Sequence, residues 1–273
     1  MKRTFKYLKC HPKYKKNKSC ISKKLMRSMR DKWNSKHPDK QIKTKTKKII
    51  ETQLRSYLSE CNHQKCLIDK TIEKQLNIFA PKSPSSWNTN KSEWLNNFDI
   101  SRVMTQYEEA YPKFKFLGPS PIDFDTIIDG KCVWTELCNL SIKEQLNKNK
   151  NKIGIIFNLD THDKGGSHWV SLFIDLENKY ILYLDSNGIT TPKEIDIFIN
   201  RIVKQCQEMN MTMKIYKNKK KHQYKDGECG MYSLYTIIKL LENKHSVNYF
   251  MNTRITDEKM NVYRRIFYNS VEL

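Results

Sequence analysis

Apolar residues along this chain fall into two regimes. Before about residue 80 they are sparse and recur at helical spacing. Leu25, Met26 and Met29 mark one such stretch; Ile49, Ile50, Leu54, Tyr57 and Leu58 mark another. Steps of three and four place such residues on one face of an amphipathic helix, so residues 1–80 are predicted to be polar and helical. The segment 80–90, APKSPSSWNTN, concentrates Pro, Ser and Asn and predicts a boundary. Beyond it the apolar runs condense. Residues 94–110 predict a helix, followed by a Pro-rich loop through Gly118-Pro119-Ser120-Pro121. Three compact runs at 153–159, 169–176 and 180–184 have strand length. The last two are separated only by Glu177-Asn178-Lys179, a hairpin-sized loop, and are predicted to pair antiparallel. A helix from Pro192 to about Asn210, a short strand at 213–216 and a buried helix over 229–242 follow. A last helix opens at Thr256, a good N-cap ahead of Asp257 and Glu258. Strands interleaved with helices make the fold class α+β or α/β.

Charge sharpens the division. The 273 residues carry 50 Lys and Arg against 29 Asp and Glu, a formal charge of +21. Nineteen of the basic residues, against only Asp31 and Asp39, lie in residues 1–50. The N-terminal region is therefore strongly basic, and the rest is an almost neutral globular domain. Such a field attracts nucleic acid, acidic lipid or acidic protein. A hydrophobic content of 38% argues against a wholly disordered chain, and 8 Gly and 8 Pro exclude collagen-like classes. No apolar run approaches the roughly 18–20 residues that cross a bilayer. The first twenty residues are basic without an apolar core, so a secretory signal is not expected. On that ground the eight cysteines are predicted to be mostly buried thiols rather than a disulfide framework. Cys10-His11 with Cys20, or Cys61 with Cys66, lack the paired spacing of a zinc site, and no metal is assigned.

Residues 160–230 hold the candidate chemistry. His168 stands at the start of one predicted strand, and Asp185 at the end of the strand paired with it. An antiparallel pair brings those two ends together, so a carboxylate can orient the imidazole. Cys229, in Asp226-Gly227-Glu228-Cys229-Gly230, stands at the N-terminus of a predicted helix, where unpaired N–H groups stabilise negative charge. Thiol, imidazole and carboxylate are the parts of a cysteine nucleophile triad. Gln223, six residues before Cys229, can donate its amide to an oxyanion beside the Cys229 backbone N–H. Singly each residue has a simpler reading, since Asp185-Ser186-Asn187-Gly188 is also turn chemistry. Their order and placement together point to catalysis.

His168-Trp169, then an apolar strand, Asp185-Ser186, and Gln223-x₅-Cys229-Gly230 resemble the Ulp1/adenovirus-type cysteine proteases. Trp94-Leu95-Asn96-Asn97 is similar to a segment of the SUMO-protease branch. Gly166-Ser167-His168-Trp169-Val170-Ser171, Glu228-Cys229-Gly230 and Arg254-Ile255-Thr256-Asp257-Glu258 resemble the polyprotein-processing branch of large DNA viruses. The resemblance implies an α+β papain-like core over 86–273, preceded by a basic, mostly helical region over 1–85. It implies a thiol endopeptidase with catalytic His168, Asp185 and Cys229, Gln223 at the oxyanion, and Trp169 and Asn97 as substrate contacts. Asn187 is the lesser candidate for the place of Asp185. Neither metal nor organic cofactor is needed. The implied substrate is a viral polyprotein or capsid precursor cut after Gly-Gly or Gly-Gly-x, in a virion or the host cytoplasm. Two alternatives stand beside it: a protease of ubiquitin-like conjugates, and a non-enzymatic virion protein binding nucleic acid through residues 1–50.

Overall fold

A computed structural model describes residues 5–270 apart from Lys18 and Gln75. The chain forms two compact units, Met1–Ser83 with Phe267–Leu273, and Pro84–Ile266.

The first unit is helical. Helix α1 (Lys23–Lys36) starts where the Ser22 hydroxyl accepts from the Leu25 N–H, and it buries Met26, Met29 and Trp33 along one stripe. Helix α2 (Lys47–Tyr57) buries Ile50 and Leu54, while Ile49 and Tyr57, expected on the same face, are exposed. Helix α3 (Gln64–Thr71) adds Leu67 and Ile68. With Ile21, Ile42, Leu58, Ile78 and Phe79 these side chains make a core of their own. The Asn34 amide clips the segment after α1 by bonding both the N–H and the carbonyl of Ile42. Residues 20–79 are thus built around packed apolar side chains, and the lysines coat them.

The cysteine expectation needs correcting. Cys10–Cys20, Cys61–Cys66 and Cys132–Cys138 are disulfide-bonded, leaving Cys206 and Cys229 as thiols. The pairs are separated by only 10, 5 and 6 residues, so local turns alone bring their Cα atoms within 5.0–6.3 Å. A compartment argument made from composition does not register such local geometry.

In the second unit, α4 (Asn97–Ala110) opens with a reciprocal capping box between Asn96 and Asp99. It leads into β1 (Phe114–Pro121), a segment expected to be a loop. The Pro residues are tolerated because β1 is an edge strand, paired only with β4 and with its register broken between Leu117 and Ser120. A small hairpin, β2 (Ile127–Ile128) and β3 (Lys131–Cys132), turns at Asp129-Gly130, where both residues have positive φ. Short helices α5 (Thr135–Cys138) and α6 (Ile142–Asn147) follow. Then come β4 (Lys152–Asn158), β5 (Trp169–Asp175), β6 (Tyr180–Leu184), α7 (Lys193–Glu208) and β7 (Lys214–Lys217). The five-stranded sheet has the order β1-β4-β5-β6-β7, with the outer pairs parallel and the central pairs antiparallel.

Both faces of the sheet are covered, which is why its central strands read as continuous apolar runs. On one face α7 lays Ile195, Phe198, Ile199 and Ile202 over Ile155, Val170, Leu172 and Ile181. On the other lies α8 (Cys229–Leu241), buried on every side. Gly154 lets α8 come close, because a Cβ there would lie 2.8 Å from Ile237 Cγ2. Helices α9 (Val247–Asn252) and α10 (Asp257–Phe267) complete the chain, and the Lys259 N–H bonds the Thr256 hydroxyl at the head of α10. The α+β class expected from the sequence holds.

Candidate active site

The ends of β5 and β6 place two of the expected residues side by side. The register pairs Ser171 with Leu184, so His168, just before β5, and Asp185, just after β6, are neighbours. His168 Nε2 donates to Asp185 Oδ1 at 2.7 Å. The same oxygen accepts from the Asn187 backbone N–H at 2.8 Å, so Asn187 enters the site through its backbone. Asp185 is fully buried and is also held from behind. Asn218, just past β7, accepts from the Asp185 N–H at 2.8 Å and donates to the Asp185 carbonyl at 2.9 Å. Its amide thereby continues the β6–β7 ladder by one rung with a side chain.

The imidazole has a second hydrogen-bonding partner in the Cys229 side chain. Burial alone would push the His168 pKa down. The hydrogen bonds to Asp185 and Cys229, and the charges of both, outweigh it and raise the value to about 9. At neutral pH His168 is therefore an imidazolium.

Cys229 is the first residue of α8, and the loop before it is fixed at several points. Gly227 has φ +94°, and a Cβ there would fall 1.9 Å from the Ser92 carbonyl oxygen, so only glycine fits. The buried Glu228 carboxylate accepts from Arg264 Nε at 2.9 Å, and Arg264 Nη2 donates to the Gly227 carbonyl at 2.8 Å. The Trp87 ring lies 4.5 Å from that guanidinium. Asp257, at the start of α10, accepts from the Tyr224 N–H and the Tyr232 hydroxyl, each at 3.0 Å. His222 Nδ1 accepts from the Ile255 N–H at 3.2 Å, which leaves Nε2 to donate to the Phe250 carbonyl. Burial, with Lys220 and Arg254 nearby, takes the pKa of His222 down to about 4 against the opposing bond to Phe250.

Gln223 lies in this loop. Its Oε1 accepts from the Ser186 hydroxyl at 2.7 Å, and Nε2 donates one hydrogen to the Lys225 carbonyl at 2.8 Å. Ser186 thus decides which end of the amide is the donor, and ties Gln223 to the strand end that carries Asp185.

Trp169 and Asn97 line one groove of about 600 Å³, together with Asn96, Trp134, Asn158 and Gly166. Trp169 is buried and donates from Nε1 to the Leu95 carbonyl at 2.8 Å, fixing the strand that follows His168 to the segment leading into α4. Among the described residues no group of three or more His, Cys, Asp or Glu is arranged to hold a metal ion. Cys10, Cys20, Cys61 and Cys66, weighed above as ligands, are all disulfide-bonded. Asn218, Ser186, Arg264 and Asp257 were not foreseen as parts of the site. Each acts through backbone or partner groups; Ser186 and Asp257 lie in segments that carry the resemblance, whereas no local pattern of residues announces Asn218 or Arg264.

A cysteine at the head of a buried helix, facing a His–Asp pair on adjoining strand ends, is the arrangement of a papain-like thiol protease. Residues 80–272 match the Ulp1 protease family, C-terminal catalytic domain, and the chain belongs to this family of cysteine proteases. It is 33% identical over 193 residues to a protein of Acanthamoeba polyphaga mimivirus that is named a thiol protease. That match covers 70% of this chain and 61% of the mimivirus protein. It is 26% identical over 249 residues to the cysteine protease of African swine fever virus, covering 80% of this chain and 88% of that one. A crystal structure of the African swine fever virus protease superposes with a TM-score of 0.67 at 23% identity, over 99% of this chain and 98% of the other, and shares its fold.

Proposed function

We infer that this chain is a thiol endopeptidase of a large DNA virus that cuts structural polyprotein or capsid precursors after Gly-Gly or Gly-Gly-x. The observation that carries the reading is the half-buried His168, hydrogen-bonded on one side to the buried Asp185 and on the other to Cys229. In this mechanism Cys229 Sγ attacks the carbonyl carbon, and the peptide C–N bond breaks as His168 protonates the departing amine. The acyl group stays on sulfur as a thioester. His168 then takes a proton from water, the hydroxide adds to the thioester carbon, and the C–S bond breaks, returning Cys229 as the thiolate beside the imidazolium and releasing the acid product. The Cys229 backbone N–H and the free hydrogen of Gln223 Nε2 receive the oxyanion in both steps. The Trp169–Asn97 groove holds the substrate, and glycine suits it because a backbone without Cβ can run close to an aromatic wall. The work belongs to particle assembly, in the virion or the host cytoplasm.

Incubation with candidate precursor proteins tests this reading. Wild type should release fragments ending in Gly-Gly or Gly-Gly-x, and Cys229→Ala should release none. A second reading has one observation behind it, since several isolates of African swine fever virus carry a relative named a SUMO-1 cysteine protease. Cleavage of a ubiquitin-like conjugate faster than any structural precursor would favour that reading instead.

A further inference from the structure

The charge excess of the N-terminal region sits on a folded surface. Helix α1 turns Met26, Met29 and Trp33 into the core, and its other side leaves Lys23, Lys24, Arg27 and Lys32 in the open. The segment between α1 and α2 adds exposed Lys40, Lys43 and Lys45, and the first turn of α2 adds exposed Lys48. Asp31 and Asp39 are the only acids from residue 23 to residue 48, and Asp31 is engaged by Arg30. None of these eight cations makes an ion pair among the described residues, whereas neighbouring Lys36 bonds Glu73 at 3.1 Å. Crowding of like charge is felt locally. The pKa of Lys47 is lowered first by burial and then by Lys23, against the pull of Glu51.

The face is as informative in what it lacks. Between residues 20 and 50 the one exposed large apolar side chain is Ile49. A bilayer surface is held by buried apolar area as well as charge, and a protein interface needs an apolar centre; one isoleucine supplies neither. Single-stranded nucleic acid is gripped by stacking on aromatic side chains. Here Trp33 is buried, stacked between His37 and Tyr57. A duplex needs only cations held at fixed spacing against its phosphates. Helix α1 holds its four, from Lys23 to Lys32, along about 14 Å of helix.

We propose that the α1 face and residues 40–48 form a sequence-independent docking surface for double-stranded nucleic acid, contacted through its phosphates. The surface is independent of the Cys229 chemistry, so either reading can fail alone. It would hold the protease on a nucleic-acid-loaded assembly while cleavage goes on elsewhere in the chain.

Fluorescence anisotropy with the full-length chain tests the proposal, using duplexes of about 30 bp of DNA or RNA at several salt concentrations. Binding is expected with log K falling linearly against log salt at a slope of about −5, for roughly five to six phosphates neutralised. A preference between the two duplexes identifies the source of the phosphates. The quadruple variant Lys24→Gln, Arg27→Gln, Lys32→Gln, Lys43→Gln should weaken binding at least about tenfold at moderate salt and reduce the slope by about 3–4. Its melting curve and its peptide cleavage should match wild type, which separates lost binding from lost folding. No duplex binding at low salt would overturn the proposal, as would a quadruple variant that binds like wild type. So would tighter binding of the single strand, of anionic phosphatidylserine vesicles or of polyglutamate than of either duplex.

Discussion

At the scale of single residues, the environment of His168 makes the sharpest demand. Its pKa is raised to about 9 by Asp185 and Cys229 against burial. The charged form is therefore favoured by the fold, and its stabilising contribution is complete below about pH 6.5 and lost as pH rises through about 9. Activity that needs the imidazolium should hold across neutral pH and decline above about pH 9. In Asp185→Asn a pH profile of kcat/KM should show that alkaline limb displaced downward by about one unit or more; an unmoved limb would remove Asp185 from the relay. Asp185→Ala should cost less than Cys229→Ala, since it orients a base and forms no covalent bond. Gln223→Ala should lower kcat by roughly 10²–10³, the scale of one oxyanion donor. Asn218→Ala should lower kcat with little change in KM and shift the same alkaline limb, because it frees the backbone of Asp185. A fall in stability with a normal pH profile would make Asn218 merely structural. His168, Asp185 and Cys229 stand out in the sequence because each sits at the edge of an apolar run with a plain start or stop, whereas Gln223, in a polar stretch, rests only on its spacing to Cys229. Asn218 was not, since an asparagine that imitates a backbone rung looks like any polar residue after a strand.

At the scale of elements, the loop from His222 to Glu228 is held largely by α10 and the turn before it, through Asp257, Arg264 and Ile255. Arg264→Met leaves the buried Glu228 carboxylate without its cation, and breaking one partner of such a pair costs about 3–5 kcal/mol. Urea unfolding of Arg264→Met should show a loss of that size, and pairing it with Glu228→Met should recover much of it; equal losses in the single and double variants would refute the coupling. His222 has the opposite sign to His168. Its folded pKa of about 4 lies below the ordinary 6.5, so the fold keeps it neutral. That stabilisation is present above about pH 6.5 and is lost as pH falls towards 4. His222→Gln should flatten the acid limb of a stability profile over that window, and an unchanged limb would assign acid sensitivity elsewhere. Most elements were legible because α1 carries plain helical periodicity, α7 opens at Pro192, and α8 and strands β4 to β6 are compact apolar runs. Strand β1 was missed because Pro119 and Pro121 are strong loop signals, and only an edge position tolerates them. The disulfides were missed because turn geometry, not compartment, brings the cysteines together.

At the scale of the whole molecule, the basic N-terminal region is a folded unit, and that changes how it can be removed. Residues 1–50 contribute Met26, Met29, Trp33, Ile42 and Ile50 to a core shared with Leu54, Leu58, Leu67 and Ile68. Cutting after residue 50 should therefore bare those last four side chains and raise binding of a hydrophobic dye, rather than simply trim an arm. The net charge was plain from composition, but the core beneath it was not, because its apolar residues are spread thinly over sixty residues of lysine-rich sequence. The central claim is that Cys229, activated by His168, is the nucleophile of a protease. A thiol-reactive peptide probe ending in Gly-Gly measures this most directly. Wild type should be labelled once, at Cys229, with labelling abolished in Cys229→Ala and strongly reduced in His168→Ala. Labelling that persists in Cys229→Ala, or that is indifferent to His168, would contradict it.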